Sequence, residues 1–84
     1  MQDAIELLKS QREHVGNSAR VLEAIIAHCA DIAHVAPFSA MRAAARRLRD
    51  RALALYATPK SNTIKTIRDF LEETITKLQQ GTWF

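Results

Sequence analysis

Five arginines fall within ten residues: Arg42, Arg46, Arg47, Arg49 and Arg51, offset only by Asp50. Guanidinium groups at that density can grip phosphates or carboxylates. At about 100° of rotation per residue, Arg42, Arg46 and Arg49 line one flank of a helix, and Arg47 and Arg51 line the other. By segment, residues 1–38 carry −2, residues 39–60 carry +5 and residues 61–84 carry 0, for a net +3. That total is small for a nucleic-acid binder. No aromatic residue is interleaved with the arginines, and Tyr56 is the nearest. The first expectation is therefore a solvated flank, with aliphatic stems laid over a helical core and charged ends paired with Glu6, Glu13, Glu23 and Asp31. Docking of an acidic protein surface comes next, and a phosphate-gripping helix is the alternative.

The remaining chemistry-bearing residues are sparse. His14, His28 and His34 show no three- or four-residue spacing, the arrangement that would bring two ligands to one helical face. Asp31 and His34 are so spaced, but supply only two ligands. Cys29 is the sole cysteine, which excludes an internal disulfide and reads as a small buried hydrophobe in a reducing compartment. Serine, cysteine and histidine form no nucleophile–base pattern. The expectation is a non-enzymatic protein with no catalytic residues, no metal and no cofactor.

The elements that position these residues are all helical. Fourteen of the 84 residues are alanine, only two are glycine and two proline, and β-branched residues never alternate with polar ones over a strand's length. Ile5, Leu8, Arg12, Val15, Ala19, Leu22, Ile26, Cys29, Ala33 and Ala36 follow one another at alternating steps of three and four. Only Arg12 among them is not apolar, so the spacing predicts a coiled-coil seam on one continuous helix over residues 2–36. Such a rod would be roughly 50 Å long. Gly16-Asn17-Ser18 could bend it, but the unchanged heptad phase favours continuity. Pro37 ends the rod. Phe38-Ser39 then reads as a staple and N-cap for a second helix over 40–57, with the seam Met41, Ala45, Leu48, Ala52 and Leu55. Thr58 to Asn62 forms a turn, with Ser61 or Asn62 capping a third helix over 63–80. That helix carries an apolar face of Ile64, Ile67, Phe70, Leu71, Ile75 and Leu78. Lys65–Asp69, Arg68–Glu72 and Glu73–Lys77 are its opposite-charge pairs at i,i+4. Residues 81–84 are an aromatic tail ending in Trp83 and Phe84.

The expected object is one all-α domain of three helices, a coiled-coil-like bundle that dimerises through its long first helix. A chain this short buries only about 60% of its extended surface. Its two shorter helices could cover only the Ala19–Ala36 half of the rod, leaving Ile5, Leu8, Arg12 and Val15 for a partner. With no signal-like amino end and no apolar run near the ~20 residues of a membrane span, the chain is expected to be soluble and cytoplasmic.

The layout of one long helix followed by two shorter ones, with Ile67, Phe70, Leu71, Ile75 and Gln79 on the last, resembles the small all-α chorismate mutases. That resemblance implies an intertwined dimer holding a dicarboxylate with basic residues of the long helix. The matching stretch here, Val21 to Val35, contains no lysine or arginine, so no catalytic residue carries over. The function expected from the residues is a protein-binding module (a regulatory adaptor, inhibitor or chaperone-like partner) acting by helix-face docking. Its candidate contacts are Ile5, Leu8, Arg12, Val15, Arg42, Arg46, Arg49, Trp83 and Phe84.

Overall fold

The computed structural model describes residues 2–80. The described residues form four α-helices, not three: α1 (Gln2–Ser10), α2 (Ser18–Val35), α3 (Ser39–Ala57) and α4 (Ile64–Gln80). Short 3₁₀ turns at Gln11–His14 and Pro59–Ser61 extend α1 and join α3 to α4. The molecule measures 35 × 22 × 18 Å, too short for the expected rod.

The rod breaks between Val15 and Asn17. Asn17 leaves helical geometry at φ −110°, ψ 86°. Its backbone N–H donates to the His14 carbonyl at 2.8 Å, and its side-chain oxygen accepts from the Arg20 N–H at 3.2 Å. That cap satisfies one of the four orphan donors at the start of α2. The turn does not rely on the missing side chain of Gly16, since a Cβ there would meet nothing within 4 Å. What the break gains is burial. Folded back, α1 places Ile5 (5% exposed) and Leu8 (0%) in the common core with Ile67, Leu71 and Ile75, each worth about 1.5–3 kcal/mol over an exposed position.

The heptad seam faces inward only in part, with Ile5, Leu8, Leu22, Cys29, Ala33 and Ala36 buried. In α2 the buried set is Val21, Leu22, Ile25, Cys29, Ile32 and Ala33, a broad 3.6-residue face. The seam residue Ala19 is exposed, and Ile26 is only half-buried. With Ile5 and Leu8 covered by the chain itself, the ground for the expected coiled-coil dimer is gone.

The later helices keep close to their expected bounds, with different caps. Phe38 stands at the N-cap of α3 without a side-chain bond and is 66% exposed, so it is no staple. Thr63 caps α4 instead of Ser61 or Asn62, its hydroxyl accepting from the Thr66 N–H at 3.1 Å. Asn62 turns the other way, its amide donating to the Leu55 carbonyl at 2.8 Å to close the end of α3. Along α3, Ala45, Leu48 and Ala52 are buried and Met41 and Leu55 pack against them. On α4, Ile67, Phe70, Leu71, Ile75 and Leu78 are buried, whereas Ile64 is 53% exposed. Among the described residues no helix is long and apolar enough to cross a membrane.

Candidate docking surface on helix α3

Burying Ala45, Leu48 and Ala52 aims the rest of α3 outward. Arg42, Arg46, Arg49, Leu53 and Tyr56 follow at steps of four, three, four and three, which keeps them on one flank. The flank has two halves. Its amino-terminal half is cationic. Its carboxy-terminal half is apolar, with Leu53 46% and Tyr56 43% exposed.

The three arginines differ in what they already hold. Arg42 is half-buried, and its Nη1 donates to the Ala36 carbonyl at 2.7 Å, meeting the negative end of the α2 dipole. Arg49 donates from Nε and Nη2 to one oxygen of Asp50 at 3.3 and 3.2 Å. Arg46 is exposed, with no hydrogen-bond or ion-pair partner among the described residues. Below them, the Tyr56 hydroxyl donates to Glu23 Oε1 at 2.8 Å. That bond and the negative charge of Glu23 hold the phenol pKa above its ordinary value. Glu23, one of the acids expected to face the arginines, reaches α3 and takes the tyrosine instead.

The opposite flank is committed internally. Arg51 lies over the Phe70 ring, 4.8 Å from its centroid, and donates to Glu73 Oε2 at 2.8 Å. Lys77 approaches the other Glu73 oxygen at 3.2 Å. Burial pushes the Glu73 pKa up, but its hydrogen bonds to Arg51 and Lys77 outweigh that and hold the carboxyl below its ordinary range. A groove of about 580 Å³ runs beside this bridge, lined by Ala54, Leu55, Thr66, Asp69 and Phe70 as well as Arg51 and Glu73.

The amino-terminal stripe does not survive as a surface. Ile5 and Leu8 are core residues, and Val15 is half-buried against the same core. Arg12 instead straps the 3₁₀ extension of α1 to α4. Its Nε and Nη2 donate to the two oxygens of Glu72, both at 2.7 Å. The hydrogen bond to Arg12 holds the Glu72 carboxyl below its ordinary range. This strap takes the partner expected for Arg68. The expected pairs Lys65–Asp69 and Glu73–Lys77 form, at 3.3 and 3.2 Å. Trp83 and Phe84 lie outside the described residues.

Reading the sequence missed Leu53 and Tyr56, although the arginine spacing continues through both. It also missed the corner between α2 and α3, where Val35 is 73% exposed beside Phe38. A pocket of about 250 Å³ opens there among Ile32, Val35, Ala36, Pro37 and Met41. Cys29 is sealed in the core, and burial pushes its thiol up to about 12, far from a reactive thiolate. No group of three or more histidine, cysteine or acidic side chains able to hold a metal occurs among the described residues.

No protein-family model, curated protein or solved structure matches this chain. The chorismate-mutase resemblance rested on a long first helix, and that helix is two helices here.

Proposed function

We propose that the protein is a small binding module that recognises another protein by docking along α3. One observation carries this reading: the Arg42–Tyr56 flank continues as an exposed heptad stripe through Leu53 and Tyr56, beside Arg46, which has no partner among the described residues. Tyrosine and arginine are the residues in which interface hot spots are enriched, and Tyr56 and Arg46 both lie on this stripe. Ile26 of α2, half-buried, and Val35 and Phe38 at the corner can widen the footprint. Such a module acts by occupying its partner's surface and needs no catalytic group. A reducing, cytoplasmic setting accompanies this reading, supported by the core position of Cys29.

Phosphate binding through the same helix is the second reading, supported by the +5 of residues 39–60. It is weakened by Leu53 and Tyr56, exposed apolar surface that a phosphate backbone would not cover. The two separate by salt and by residue. Phosphate binding should fall steeply with ionic strength, and Leu53→Asp, which adds a negative charge one turn from Arg49, should weaken it only in low salt. Protein docking should lose its partner on Leu53→Asp while circular dichroism shows unchanged helix content. Affinity isolation from an extract of the source cells, run in parallel with wild type and Leu53→Asp, checks this. If every species retained by the wild type is retained equally by the variant, α3 is not the docking surface.

A further inference from the structure

We infer that the occupant of the α3 flank is an acidic, amphipathic helix of the partner protein; this rests on the docking reading above and names the chemistry of what docks. From Arg42 to Tyr56 the stripe rises about 21 Å, the length of roughly four helical turns. Its heptad spacing is matched along its length by the same spacing on a second helix.

The cationic half selects the charge of that helix. Each guanidinium carries five N–H groups. Arg42 spends one on the Ala36 carbonyl, and Arg49 directs two at a single exposed carboxylate oxygen. Arg46 has spent none on the described residues. Carboxylates of a partner at matching heptad positions can accept from all three. The apolar half then needs aliphatic or aromatic side chains three or four residues apart to cover Leu53 and Tyr56.

Other occupants fit less well. A phosphate backbone would leave Leu53 and Tyr56 uncovered. A second copy of this stripe would set arginine against arginine if parallel. If antiparallel, it would set arginines against Leu53 and Tyr56.

Selection of a phage-displayed library of random peptides, each long enough for about four helical turns, tests this on the intact protein. Retained phage are then screened against Leu53→Asp and Arg46→Glu, both at exposed positions that leave the core untouched. The expected result is peptides about twofold richer in aspartate and glutamate than the unselected library, with leucine or phenylalanine at helical spacing. Their binding should weaken about tenfold in each variant, as for the loss of a central apolar anchor or an interfacial charge pair. Peptides that need Leu53 but are neutral or basic overturn the acidic-helix inference and leave docking on α3 standing. If no recovered peptide depends on Leu53, docking of a protein along α3 is itself overturned.

Discussion

The α1–α4 half and the α2–α3 half of this bundle are built from different materials. The first brings Ile5, Leu8, Ile67, Phe70, Leu71, Ile75 and Leu78 into the core and closes its edge with the two-pronged Arg12–Glu72 bridge. In the second, α3 contributes Ala44, Ala45, Leu48 and Ala52 as its buried residues, facing Cys29, Ala33 and the larger apolar residues of α2. Large side chains gain most from being covered, so the half that carries them folds back on itself. Alanine buries little area but admits a neighbouring helix closely. The alanine-rich half therefore settles with a narrow buried stripe and leaves its long charged side chains outside. Both halves keep exposed apolar residues, Leu7 and Ile64 in the first and Leu53 and Tyr56 in the second, and the second sets them beside a row of arginines.

The largest break in that comparison is Leu8→Ala. Leu8 is fully buried, so its truncation should cost about 3 kcal/mol, by chemical denaturation. A cost under about 0.5 kcal/mol, the range of surface positions, would mean that α1 does not share the core. Overpacking probes the other half. Ala45→Leu, at a position 0% exposed, should destabilise by about 2 kcal/mol, because α3 cannot move off α2 without opening its own seam. A neutral or stabilising result would show slack between those helices. Asn17→Ala removes the side-chain cap of α2 and should cost about 1 kcal/mol, read as a drop in melting temperature with helix content retained. An increase in molecular length by small-angle scattering in this variant would show that the cap alone opposes the rod.

The smallest effect is pH-dependent. The folded Glu72 carboxyl sits below its unfolded value of about 4.3 because of Arg12. Its stabilisation is complete above the unfolded value and is lost as pH falls through the lower folded value. Both partners are exposed, so the gain is modest. Melting temperatures of wild type and Glu72→Gln should differ slightly near neutrality and converge in acid. A gap that stays constant into acid would mean that the carboxylate charge plays no part.

Reading the sequence succeeded where the deciding information was local. The seam Met41, Ala45, Leu48, Ala52, Leu55 and the apolar face of α4 follow from spacing alone, since one turn of helix brings those residues together whatever else the chain does. The expected arginine stripe is also on one flank, as its spacing requires. The partners of Arg12 and Arg51 were not legible, because Glu72 and Glu73 reach them across 60 and 22 residues.

Composition and periodicity by themselves determined an all-helical chain with breaks at Pro37 and Pro59, and named the outward face of α3. Whether residues 2–35 stay straight was decided only in three dimensions. The alternating three–four spacing through Arg12, Val15 and Ala19 is compatible with a rod and with a turn. The choice depends on whether another apolar surface lies within reach of Ile5 and Leu8. α4 supplies that surface from the far end of the chain, and covering two large side chains, together with the Asn17 cap, outweighs the few helical hydrogen bonds lost at Gly16.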